Sequence, residues 1–284
     1  MKNKNFSFWQ DVKFRFCKNK AAIIGTFFLL FLIIMAIIGP HINSYKYFET
    51  HLELKNSPPS SKFWFGTDEL GRDIFTRIWW GARISLSVGI IAAVIDVIIG
   101  VIWGTTAAYF KGMIDEIMMR ICDILYSIPY LLIVLLLIVI MEPGFLTVLI
   151  ALTATGWINM SRIIRNHALQ ILENNFIQSA NALGASKKRI IFCHLIPNTF
   201  GTIITTMTFT IPTAIFTETF LSFLGLGIQA PVSSWGVMIN DSLPALRYYP
   251  WRLFFPAIMI TLTMFGFNLF GDGLRDAFDP KERR

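Results

Sequence analysis

Six apolar stretches, each long enough to cross a bilayer, constrain this chain more than any other feature. They cover residues 21–40, 84–110, 121–141, 145–164, 195–217 and 253–271. A helix of about 20 residues rising 1.5 Å per residue crosses a hydrocarbon core about 30 Å thick. The first stretch carries no charge, and the second carries one, Asp96, near its middle. Composition agrees with a multi-span membrane protein. The 284 residues are 54% hydrophobic and 15% charged, with a mean hydropathy of +0.57. About a quarter of the residues in soluble globular proteins are charged. The expected fold class is all-α and integral to the membrane, with six transmembrane helices.

The segments between the spans carry the polar residues. Residues 1–20 mix six cations with Phe6, Phe8, Trp9, Phe14 and Phe16. They read either as an amphipathic helix on the inner membrane surface or as a plain tail. The apolar run that follows is too long for the core of a cleavable signal, so none is expected. Residues 41–83 form a long polar segment. Within it, residues 68–80 read as an amphipathic piece ending in Trp79 and Trp80, and a helix lying flat at the interface is favoured over a docking element for a soluble protein. Residues 111–120 read as a short charged link. Pro129 and Pro212 are expected to kink their spans. Residues 218–252, with Glu218, Trp235, Asn240, Asp241 and Arg247, read as a partly re-entrant element and outer loop, or as a plug over a pathway.

Six spans place both termini on one side. With the N-terminus inside, 17 of the 25 Lys and Arg residues fall in cytoplasmic segments, the orientation favoured by the excess of cations there. The same bias accounts for the formal net charge of +7 without nucleic acid. Cys17, Cys122 and Cys193 then fall near cytoplasmic ends, as reduced thiols would. No GxxxxGK[ST] is present, so ATP binding through a P-loop is not expected. The four histidines show no metal-ligand spacing, and no nucleophile–base pattern is visible. An enzyme is the weaker class.

Residues 173–198, ENNFIQSANALGASKKRIIFCHLIPN, stand apart: polar and basic, yet flanked by spans. Phe176, Ala180 and Leu183 recur at i, i+4, i+7 on one helical face. Gly184 suits a left-handed helix end. Ser186 suits the N-cap of a second helix bearing Lys187, Lys188 and Arg189. Pro197 falls in the first turn of the next segment.

This stretch resembles the cytoplasmic EAA loop of binding-protein-dependent ABC importer permeases. Gln178, Ser179 and Ala180 occupy the E-A-A positions, Gly184 the glycine, and Ile196-Pro197 the closing L-P, while His194 stands where the motif has isoleucine. GTDELGRDIFTRIWWGARISLSVG (66–89), ETFLSFLGLGIQAPVSSWG (218–236) and FNLFGDGLRDAFDP (267–280) are similar to the C-type permeases of dipeptide and oligopeptide importers. The resemblance implies a type I importer fold in a bacterial inner membrane. It divides the chain into an N-terminal region (1–83), a permease domain (84–276) with its coupling loop at 173–197, and a tail (277–284). It implies a second permease, two ATPase subunits that bind ATP and magnesium, and an extracytoplasmic solute-binding protein, with no cofactor in this chain. Phe176, Gln178, Ser179, Ala180, Leu183, Gly184 and Pro197 become the expected ATPase contacts. Peptide is the expected cargo. Nickel or another small solute is the rival cargo, and a scaffold that docks a partner without transporting is the rival class. Asp96 reads as a pathway residue or, preferred, as one end of an interhelical hydrogen bond. Gly100 and Gly104 read as a close contact within the subunit.

Overall fold

The computed structural model describes residues 8–229 and 231–278, and those residues hold helices and no strand. In chain order the helices are α1 (Phe8–Lys18), α2 (Lys20–Ile38), α3 (Ile74–Phe110), α4 (Gly112–Ser127), α5 (Tyr130–Met141), α6 (Phe145–Leu172), α7 (Asn175–Ala182), α8 (Phe200–Phe223), α9 (Trp235–Ser242) and α10 (Trp251–Phe278). Five of them, α2, α3, α6, α8 and α10, are long and apolar enough to span a membrane. The sixth candidate span is the pair α4–α5, bent by 79° at its break. Pro129 sits at that break as the N-cap of α5. Its ring bars the preceding residue from helical geometry, so the expected kink is a full interruption. Pro212, by contrast, lies inside α8 without ending it.

The second span departs most from expectation. Residues 74–83 do not lie flat as a separate interfacial piece; they are the first turns of the 37-residue α3. Asp73 caps α3, accepting from the Thr76 amide at 2.9 Å and the Thr76 hydroxyl at 2.6 Å. Trp79 is buried rather than at an interface. At about 1.5 Å per residue α3 is about 55 Å long, so it extends well past one hydrocarbon core. The expected charged link at 111–120 shrinks to Lys111, because α4 begins at Gly112.

α3 and α6 form the tightest pair. A Cβ on Gly100 would come within 2.6 Å of the Met160 Cβ, and one on Gly104 would overlap the Ser161 carbonyl. The two glycines therefore set the approach of α6 within the subunit, as small residues do between membrane helices. A second layer joins α2, α3, α8, α9 and α10 around Leu32, Ile78, Ile215, Trp235 and Phe267. Trp235 is fully buried, and its Nε1 donates to the Ile78 carbonyl at 3.1 Å. α1 is helical, and it leans on the bundle: Trp9 meets Phe200 and Phe278 edge-on, and Phe16 meets Phe270. The cations at Lys2 and Lys4, Phe6, and the tail from 279 onward lie outside the described residues.

Candidate functional site

The 173–198 stretch is a compact knot at the ends of two spans. α6 finishes at Leu172, and α7 starts three residues later. One residue of α7 points home: Ile177 is fully buried with Ile171, Ile190, Ile191 and Leu195, and Tyr109 and Leu172 pack against that cluster. The helix ends in a left-handed glycine. Gly184 has φ +79°, its amide donates to Asn181 at 3.0 Å, and the Ala185 amide donates to Ala180 at 3.0 Å. That pair of bonds satisfies carbonyls the helix would otherwise orphan. Ser186 then accepts from the Arg189 amide at 3.3 Å and caps Lys187–Arg189. A π-helical stretch, Ile190–Leu195, carries the chain into the short helix Ile196–Asn198, where exposed Pro197 occupies the first turn.

With Ile177 turned inward, the stripe read from the sequence faces out. Phe176 is 45% exposed and Leu183 88% exposed, with Ala180 half-buried between them. Gln178 and Ser179 are exposed beside it, and the Gln178 amide donates to the Glu173 carbonyl at 3.3 Å. An apolar ridge on a helix anchored from behind is what a grooved partner can grip. The anchor Ile177 was not read from the sequence, because it neighbours Phe176 and either could have headed the apolar stripe.

Asp96 is buried, and its Oδ1 has no hydrogen-bond partner among the described residues. No hydrogen bond is made by Asp96 among the described residues, where an interhelical one is the preferred expectation from the sequence. Gly156 of α6 faces the carboxyl instead, where a Cβ would overlap it. An unpartnered buried carboxyl in a span is costly and points toward a bundle interior or a water-filled path.

A cluster of buried charged groups gathers at the N-terminal end of α3. Asp68 accepts from the Leu70 and Arg72 amides at 2.9 Å each and from Arg72 Nε at 2.6 Å, and it also pairs with Arg77. Asp241 of α9 lies 3.8 Å from Arg72 and 3.5 Å from Arg77. Arg252 of α10 donates to Asn56 at 3.0 Å, to Glu69 at 2.7 Å and to the Asp241 carbonyl at 2.7 Å. Burial pushes the Asp68 carboxyl up, but Arg77 and Arg72 outweigh it and hold the group below its usual 3.8. Burial pushes Asp241 above that value, with Arg77 opposing. Deeper in, Glu218 of α8 is fully buried, accepting from Ser85 at 3.0 Å and Ser222 at 2.9 Å. The 218–252 segment thus begins inside the α8 span and continues through the short helix α9 to the start of α10. Near the α7 end, a cleft of about 1360 Å³ opens between α6, α8 and α10, lined by His167, Thr202, Phe209 and Arg275 among others. His167 Nδ1 lies 2.7 Å from the Thr202 hydroxyl.

Comparison with known proteins bears on these features together. Residues 96–284 match the family described as binding-protein-dependent transport system inner membrane component. Residues 7–59 match the N-terminal TM domain of oligopeptide transport permease C. An oligopeptide transport system permease protein of Bacillus subtilis (strain 168) is 54% identical over 99% of this chain and 92% of its own length. A dipeptide transport system permease protein from the same strain is 56% identical over 100% of this chain and 89% of its own. The oligopeptide permease of Escherichia coli (strain K12) is 38% identical over 98% and 92%. Among solved structures, a chain of the inward-facing MetNI methionine ABC transporter has a TM-score of 0.58 at 16% identity, covering 70% of this chain and 95% of that one. That likeness shows the fold: a type I importer permease.

Proposed function

The chain belongs to the family of binding-protein-dependent transport system inner membrane components, and from that premise we propose that it forms half of a peptide import pathway driven from its α7 loop. The relatives named above are permeases of oligopeptide and dipeptide systems, which supports peptide as the cargo. A second permease completes the pathway, two cytoplasmic ATPases hold ATP and magnesium, and an extracytoplasmic binding protein delivers the peptide. This chain contributes no catalytic residue and no cofactor site.

The observation that carries the reading is the outward ridge of Phe176, Ala180 and Leu183 on a helix whose opposite side is fixed by Ile177. A groove on each ATPase takes that ridge as it would any amphipathic helix. Because Ile177 belongs to a cluster against which Tyr109 at the end of α3 and Leu172 at the end of α6 also pack, movement of α7 is passed to both spans as rigid bodies. Lys187, Lys188 and Arg189 follow Gly184 and are exposed as well. The orientation with both termini and this loop in the cytoplasm follows from the cation bias.

The test is ATP-dependent uptake into proteoliposomes holding the complete transporter and its binding protein. Dipeptides, tripeptides and longer peptides should compete for uptake, and Ni²⁺ should not. ATP-dependent uptake blocked by Ni²⁺ but not by peptides overturns the cargo. Retention of the ATPases without uptake of any solute makes the chain a scaffold.

A further inference from the structure

Beside the α7 loop, and separate from its outward ridge, a small pocket of about 330 Å³ lies where two spans end. It is lined by Tyr109, Phe110, Lys111, Leu172, Asn181 and Lys187. Phe110 is the last residue of α3 and Leu172 the last of α6. The pocket therefore sits at the level where the apolar spans give way to water, with aromatic rings at its rim as at membrane interfaces.

Its charge is of one sign. No acidic side chain lines it, and neither lysine ammonium has an ion-pair or hydrogen-bond partner among the described residues. Lys187 reaches over the Phe110 ring, 5.0 Å from its centroid. The nearest acid of α4, Asp115, is occupied by Arg165 at 2.5 Å. The 16-residue α4 starts at the pocket's edge, and its N-cap Lys111 supplies no side-chain hydrogen bond to the first amides. Open amides at a helix start favour an anion.

The backbone of Lys111 tolerates glycine. It has φ 52° and ψ −175°, a conformation that glycine adopts freely and L side chains rarely do.

We propose that this pocket binds the phosphate of an anionic phospholipid headgroup. Lys111 and Lys187 supply charge and the Asn181 side chain supplies a hydrogen bond. The site ties Lys187 and Asn181 of the loop to the ends of α3 and α6, so the bound lipid steadies the loop from the membrane side. The binding claim does not depend on what docks at Phe176 and Leu183.

The test is lipid retention by the full-length protein in nanodiscs of phosphatidylcholine with and without phosphatidylglycerol, counted by native mass spectrometry. Lys111→Gly frees the backbone at that position, so loss of binding there cannot come from added strain. Each lysine near an anionic surface is worth a factor of about five. Lys111→Gly combined with Lys187→Gln should lower phosphatidylglycerol retention about 25-fold. Lys188→Gln, which removes an exposed charge outside the pocket, should leave it unchanged. Equal retention in wild type and the double variant overturns the proposal, as does an equal loss in Lys188→Gln. Inorganic phosphate that displaces phosphatidylglycerol at equal occupancy assigns the pocket to a soluble phosphate instead. Lipid lost whenever the ATPases are bound places the lysines in the docking face and likewise overturns it.

Discussion

Asp68 and Asp241 belong to one charge cluster, yet their removal should have unequal consequences. Asp68 is 4% exposed and is the closest counter-charge of both Arg72 and Arg77, whose side chains are 8% and 3% exposed. Asp68→Asn leaves two buried guanidinium groups sharing Asp241 at 3.5 and 3.8 Å. Breaking a buried pair from one side costs about 3–5 kcal/mol, and the residual attraction to Asp241 puts the expected loss near the lower end, about 3 kcal/mol. At roughly 2–4 °C per kcal/mol for a large domain, the melting temperature should fall by roughly 6–12 °C. Asp241 has a 28% exposed side chain and one marginal hydrogen bond to Arg77, at 3.5 Å. Asp241→Asn should cost about 1 kcal/mol or less.

The pH dependence should separate the two as well. The Asp68 carboxyl titrates below 3.8 when folded, so its contribution is complete above 3.8 and is lost only as pH falls through the folded value. The Asp241 carboxyl titrates above 3.8, so the folded state holds its proton more tightly than the unfolded state does. Its contribution is fully present below 3.8 and is lost as pH rises through the folded value. Asp241→Asn should abolish that decline. The assay is thermal unfolding of the purified chain followed by tryptophan fluorescence, from acid to neutral pH. Equal destabilisation by the two substitutions at neutral pH would refute the division of roles.

Three further outcomes are expected. Gly184→Val meets no atom within 4 Å but loses the left-handed helix end, at a cost of about 1–2 kcal/mol; membrane insertion should be normal while ATP-driven uptake falls, and wild-type uptake would sink the coupling role of Gly184. Gly156→Ala presses on the Asp96 carboxyl and should impair uptake, with Asp96→Ala in the same chain restoring it; no rescue would show that the two do not meet. Trp235→Phe removes the bond that ties α9 to the Ile78 carbonyl of α3 and should lower stability by about 0.5–1.5 kcal/mol, read as a melting shift.

Much of this architecture was legible in the chain. Apolar length alone found the five long spans and marked the bent pair α4–α5 as the sixth candidate, and the cap chemistry of Gly184 and Ser186 placed the loop's two helical pieces. The start of α3 was hidden for a physical reason. Asp68, Arg72, Asp73 and Arg77 look like a solvated face, and only their pairing with Asp241 and capping of α3 lets that polar stretch go under cover. Arg252 and Asn56 meet across 196 residues, a contact no local pattern announces. The break at Pro129 was readable as a bend, but its 79° turn depends on how α5 packs against α6. Asp96 was found by its charge, while its neighbour Gly156 gave no signal of its own.

The central claim is that the ridge of α7 is the face an ATPase grips, and site-specific photo-crosslinking tests it most directly. A photoreactive side chain at Leu183, the most exposed position of the ridge, is activated in membranes that contain the whole transporter. A covalent adduct with the ATPase, absent when the same group replaces buried Ile177, is the predicted result. An adduct with lipid alone at Leu183, in membranes where the ATPase is bound, would contradict it.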